Sequence, residues 1–222
     1  MQQTTFSLIN ETSGHFNDFI ESSSNHLAYK YINSWPNSFG VLPYAKTLII
    51  KGPKSSGKSF LANLWAKKTG ALFLKKNYKL TTSILDHHQA FIIDGFDSSW
   101  HEEDVLHYFN ILHENNKYLL ITLTNLPKIE LADLSSRINS VNKIDILMVD
   151  DELMRILIFK QFSNLSLLIN DDVINYLVKI LPREFPKILS VISDINKNSL
   201  ENKKKITVPF IKSLIENSLL AL

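Results

Sequence analysis

Residues 47–69 read TLIIKGPKSSGKSFLANLWAKKT, a β-rich apolar run, a glycine-punctuated turn and an amphipathic stretch in that order. Within it, Gly52-Pro53-Lys54-Ser55-Ser56-Gly57-Lys58-Ser59 satisfies the pattern G-x-x-x-x-G-K-[ST], placed between strand and helix as its mechanism requires. In such a loop, main-chain N–H groups converge on phosphate oxygens at a helix N-terminus. Glycines allow the close approach and the positive φ that side chains would block. The pattern assigns Lys58 to the β/γ-phosphates and the Ser59 hydroxyl to Mg²⁺. All eight loop residues are therefore candidate nucleotide contacts, with ADP or ATP as ligand.

Outward from the loop, consecutive apolar residues in TLIIKG, ALFLK, AFIIDG and KYLLITLT mark buried strands, alternating with amphipathic stretches. A fifth run, KIDILMV, ends at Asp150. This alternation predicts a parallel sheet with crossover helices. A polyphosphate with its metal also needs a carboxylate at the tip of a neighbouring buried strand, and Phe91-Ile-Ile-Asp94 supplies it; Asp94 joins Ser59 as a candidate metal ligand. The next residue is Gly95, where hydrolytic members of this class commonly place a second acid, so weak intrinsic turnover is expected. KYLLITLT ends in Thr122, Thr124 and Asn125, which is either a polar side chain beside the γ-phosphate or an ordinary exit turn. Between these strands, HEEDVLHYFNILHENN puts Val105, Leu106, Phe109 and Leu112 on one helical face, and His107 and His113 read as surface residues.

After Asp150 the strand signal stops. DDELMRILIFKQF, DDVINYLVKIL, REFPKILSVISDI and TVPFIKSLIENSLL are helical patterns, giving a small all-helical domain over 151–222. Residues 26–150 form the P-loop α/β domain. Before it, HLAYKYINSW carries Leu27, Tyr31 and Trp35 at helical spacing behind a possible cap at Asn25, and residues 1–25 read as a loosely held polar arm.

Composition narrows the function. With 24 Lys+Arg against 22 Asp+Glu, the net charge of +2 is no polycation, and 45% hydrophobic residues suffice for a core. Cysteine is absent, which removes disulfides, thiol catalysis and zinc ribbons. No apolar run is long enough to span a bilayer and the N-terminus lacks a secretion signal, so a cytoplasmic protein without membrane contact is expected.

The P-loop, Asp94, LLITLTNLP, LADLSSRI and a helical C-terminal region follow one another in an order that resembles the AAA+ module of the bacterial initiator DnaA. More closely, the chain is similar to the DnaA-related Hda regulators in their α-proteobacterial form. Ser34-Trp35-Pro36 matches the family's Trp-Pro before the first strand, and Lys205-Ile-Thr-Val-Pro-Phe its lid ending. The resemblance implies an AAA+ parallel-sheet domain followed by a helical lid. In Leu131-Ala-Asp-Leu-Ser-Ser-Arg137 it implies an arginine finger, Arg137, acting on a nucleotide held by a neighbouring subunit. Arg183, in Leu181-Pro-Arg183-Glu-Phe, matches the lid arginine that senses the γ-phosphate, with Pro182 expected in the first turn of a helix. Thr124 takes the strand sensor position, where relatives often have Asp; Pro186 replaces a basic residue of some relatives, while Lys58 is kept. Gln3-Thr-Thr-Phe6-Ser-Leu8 partly matches the family's peptide for the β sliding clamp of DNA polymerase III, with Gln3, Phe6 and Leu8 as contacts.

The function implied is a nucleotide-binding regulator that promotes hydrolysis of DnaA-bound ATP together with the clamp. The alternative is a helicase- or clamp-loader ATPase using its own turnover. With the sequence stopping at Leu222 and no basic recognition helix, direct sequence-specific DNA binding is not expected; a homo-oligomer is possible.

Overall fold

The computed structural model describes residues 19–217 and Leu220. In chain order the elements are α1 (His26–Asn33), β1 (Thr47–Lys51), α2 (Lys58–Thr69), β2 (Leu72–Phe73), α3 (Thr82–His87), β3 (Ala90–Ile93), α4 (Glu102–Glu114), β4 (Tyr118–Leu123), α5 (Ala132–Ser140) and β5 (Asn142–Asp145). Four helices follow: α6 (Asp151–Asn164), α7 (Asp171–Ile180), α8 (Phe185–Asn202) and α9 (Val208–Glu216). The strands form one parallel sheet in the order β2-β3-β4-β1-β5. This is the expected α/β architecture, a parallel sheet with crossover helices and then a helical domain.

Consecutive apolar residues bury both faces of the sheet, because alternate side chains point to opposite sides. Ile49, Phe91, Ile93, Leu119 and Ile121 face α4 and α5 in one core. Leu48, Ile50, Ala90, Ile92 and Leu120 face α1 and α2 in another, which holds Phe39 stacked on Trp65 at 4.8 Å. The third core belongs to α6–α9 and centres on Met154, Ile158, Phe162, Leu177, Ile192, Ile195 and Ile211.

Some elements differ from the sequence expectation. β5 ends at Asp145 rather than running to Val149; Leu147 and Met148 beyond it are about 60% exposed. β2 shrinks to two residues at the sheet edge. α1 buries Ala28 and Ile32, not the Leu27-Tyr31-Trp35 row, and leaves Leu27 exposed. α4 buries Tyr108 beside Val105, Phe109 and Leu112, leaving Leu106 only partly covered. Pro182 lies in the α7–α8 connection, and it is Pro186 that enters the first turn of α8.

Residues 19–25 are packed. Phe19 stacks on Tyr29 (4.8 Å) and Phe60 (5.9 Å), whereas Ile20 packs on the helical core. Asn25 does not cap α1 with its side chain. It closes the preceding turn instead, accepting from Ser22 N and donating to Ile20 O, both at 2.9 Å. The Leu147 amide donates to Ser24 O at 2.9 Å, and Ser23 Oγ donates to Asp150 at 2.9 Å. Asp150 also caps α6 by accepting from Leu153 N at 2.7 Å. The same carboxylate thus starts the helical domain and fastens the N-terminal segment to it. Gln3, Phe6 and Leu8 lie outside the described residues.

Candidate nucleotide site

The site begins where β1 leaves the sheet. The Gly52 amide still donates to Leu123 O at 3.1 Å, so the loop springs from between β1 and β4, inside the sheet rather than at its edge. Here glycine is required by contact: a Cβ on Gly52 would lie 2.5 Å from the Ile146 carbonyl oxygen. Farther on, Ser55 (φ +59°) and Gly57 (φ +97°) take left-handed conformations that fold the loop back onto the start of α2. Pro53 and Lys54 form its outer rim, Lys54 in solvent.

Lys58, the first residue of α2, is 8% exposed. Its Nζ donates to Gly52 O at 2.8 Å and Pro53 O at 2.6 Å, which puts the ammonium inside the loop. Burial pushes its pKa below the ordinary lysine value, and the Asp94 carboxylate pulls the other way. Ser56 Oγ is buried in the same loop with no hydrogen-bond partner, a cost that an oxyanion acceptor would remove. A cradle too tight for a Cβ, an enclosed ammonium and an orphaned hydroxyl fit a bound polyphosphate.

Asp94 follows β3 and faces the loop across the end of the sheet. Its Oδ1 accepts from Ser59 Oγ at 3.2 Å and from Thr122 Oγ1 at 2.5 Å. A hydroxyl beside a carboxylate is a hard-oxygen donor set of the kind Mg²⁺ takes when phosphate supplies the other ligands. Among the described residues no cluster of three or more His, Cys, Asp or Glu forms a metal cage.

Beside Ser55, Ser56 and Gly57 opens an apolar cleft walled by Phe19, Ile20, Phe60, Val149, Leu153 and Phe185. Its walls come from the N-terminal segment, the sheet domain and the helical domain. Flat apolar sides next to a phosphate loop suit a nucleobase.

The two arginines lie elsewhere. Arg183 donates to Val149 O at 2.7 Å and pairs with the Asp151 carboxylate, so it braces the start of α6 behind the cleft wall. Arg137 projects from α5, half-buried, and donates to Tyr44 Oη at 3.2 Å; its Nε is buried without a partner. Tyr44 precedes β1 and the end of α5 leads into β5, so both sit at the N-terminal edge of the strands. The length of β1, on the order of 15 Å, separates them from Lys58. Glu102, at the start of α4, holds the chain entering α5 by accepting from Glu130 N at 2.9 and 3.0 Å and from Leu131 N at 2.7 Å.

The structure brings Gly52–Ser59 and Asp94 together, sets Arg183 behind the cleft wall through Val149, and leaves Arg137 at the opposite end of β1. Thr124 stands half-buried just past β4, and Thr122 is the strand hydroxyl that touches Asp94. Phe19, Phe60 and Phe185 were not singled out as site residues from the sequence, and Thr122 was named only as a strand-end hydroxyl, without its contact to Asp94. Only Thr122 carried a usable signal, a polar residue inside an otherwise apolar strand.

Residues 150–215 match the family described as Hda, lid domain. Domain III of the Thermotoga maritima replication initiation protein DnaA superposes with a TM-score of 0.71 at 14% identity, covering 92% of this chain and 96% of that one. The replication initiator DnaA bound to AMPPCP and single-stranded DNA gives 0.64 at 19% identity over 84% of this chain and 66% of that one. The Thermotoga maritima RuvB branch migration motor gives 0.58 at 13% identity over 78% and 61%. No curated protein matches the chain in sequence. The fold is thus the AAA+ sheet domain followed by a helical lid.

Proposed function

We propose, from the match of residues 150–215 to the Hda lid family and the DnaA-like fold, that this chain is a DnaA-related AAA+ regulator that binds ADP or ATP and restrains replication initiation by promoting hydrolysis of DnaA-bound ATP. The observation that carries the reading is the position of Arg137. It stands at the edge of the sheet remote from its own Lys58, where it can approach a nucleotide only if another subunit holds it.

In this reading the chain's own nucleotide is a structural ligand. Gly52–Ser59 grip its phosphates, with Lys58 opposing their charge, and the apolar cleft takes the base. Ser59 and Asp94 would hold Mg²⁺, which when bound neutralises charge on the phosphate oxygens. Arg183 joins lid to cleft through Val149, so lid position and nucleotide occupancy are linked, and Thr124 lies near enough to the end of β4 to serve as a weak sensor. Toward the partner, Arg137 stabilises the charge that develops on the transferred phosphoryl group, an effect worth roughly 10³–10⁵ in rate. Gln3, Phe6 and Leu8 would dock on the sliding clamp of DNA polymerase III and so hold the protein where DnaA is to be switched off. A loader acting through its own turnover is the competing reading, and Gly95 beside Asp94 disfavours it.

The test is the nucleotide on DnaA. Isolated, the protein should turn over little ATP. Added with the clamp and DNA to ATP-loaded DnaA, it should accelerate conversion to ADP, and Arg137→Ala should remove that acceleration by about 10³-fold or more with its own nucleotide affinity intact. An Arg137→Ala protein as effective as the parent, or vigorous turnover indifferent to DnaA, overturns the proposal.

A further inference from the structure

We propose that Thr122 is a positioning residue that holds Asp94 for the cation of the nucleotide site, an inference that rests on reading Ser59 and Asp94 as the Mg²⁺ side of that site. The parallel register pairs Ile93 of β3 with Ile121 of β4, so the next residues, Asp94 and Thr122, meet at the sheet end. Thr122 is 1% exposed, one of few buried polar residues among those described, and such a group persists in a core only when its hydrogen bonds are made.

Its hydroxyl has one proton, and the geometry determines where that proton goes. The Gly95 amide donates into Thr122 Oγ1 at 2.8 Å, occupying a lone pair. The Oγ1 proton is then directed to Asp94 Oδ1 at 2.5 Å. The main-chain N–H, hydroxyl and carboxylate form a one-way chain of donors that ends on Asp94. Ser59 Oγ reaches the same Oδ1 at 3.2 Å, so both hydroxyls meet one oxygen and Oδ2 is left to a cation. Ser59 can keep its proton on Oδ1 while turning a lone pair to that cation. Thr122 touches neither phosphate nor metal in this arrangement; it fixes the rotamer of the residue that does. Below it, the Phe96 amide donates to Thr122 O at 2.8 Å, so the turn after β3 is pinned to β4 on both sides of the side chain.

The experiment measures ADP affinity of the full chain in Mg²⁺ and again in EDTA, for the parent, Thr122→Val, Thr122→Ser and Asp94→Asn. Thr122→Val keeps the shape and loses the hydroxyl. It should keep the EDTA affinity and lose about tenfold of the Mg²⁺-dependent gain, the usual scale for a group that orients a metal ligand. Thr122→Ser should restore the gain, which a merely structural loss would not predict. If Thr122→Val does not fold, Thr122→Ala gives the same comparison. A full Mg²⁺ gain in Thr122→Val or Thr122→Ala, with the gain lost in Asp94→Asn, overturns the positioning role alone. A gain that survives Asp94→Asn, or a parent with none, overturns the metal reading and this inference with it.

Discussion

At the scale of single residues, the loop is governed by space as much as by charge. Gly52 has no room for a Cβ, because the obstacle is the Ile146 backbone and not a movable side chain. Gly52→Ala should therefore cost about 1–3 kcal/mol and weaken nucleotide binding together, as read by urea unfolding and ADP titration. A variant of parental stability would show that the Ile146 segment yields. Residues of this kind were legible in the sequence, since the loop is a contiguous eight-residue pattern whose letters carry their own geometry. Thr122 was not, because its role comes from lying opposite Asp94 across two strands that a linear reading cannot align. Arg183 marks the same limit: its engagement with Asp151 and Val149 is a matter of tertiary placement that no linear pattern encodes.

At the scale of elements, α4 anchors its surroundings at two points, its start and its middle. Its first residue, Glu102, anchors the approach to α5, and in its middle Tyr108 Oη donates to the carbonyls of Tyr78 at 2.8 Å and Lys75 at 3.1 Å. Burial raises the Tyr108 pKa above that of an ordinary tyrosine. The folded state therefore holds this proton more tightly than the unfolded chain, and the stabilisation is complete below about pH 10 and lost as pH climbs toward the folded value. Tyr108→Phe should cost about 1 kcal/mol at neutral pH and flatten the fall in stability above about pH 10 in urea melts. An unchanged slope would mean other groups govern the alkaline limb. Strongly apolar elements such as β1, β3 and β4 were readable from composition alone. α3, six residues beginning at a Thr81 cap, was not, being too short to show a period. β5 was over-extended because KIDILMV continues its apolar character past the point where strand pairing ends.

At the scale of the whole molecule, the lid core shares none of its buried residues with the two cores of the sheet. Phe162→Ala, emptying the centre of the lid, should cost about 3–5 kcal/mol locally. Hydrogen exchange should quicken across 151–216 while 47–145 stays protected; uniform loosening would show that the domains unfold as one unit. The order of strands followed by helices was visible along the chain, as a change of texture after Asp150. What the texture could not reveal is the part played by residues 19–25, whose sparse apolar residues gave no period and gained meaning only against surfaces folded from later segments. Phe19 leans on α2, Ile20 on the lid, and Ser23 and Ser24 are tied on either side of the bend where β5 gives way to α6. An outward swing of the lid has to unfasten this seam, and a pull on Phe19 is felt at the wall of the apolar cleft before it reaches any strand.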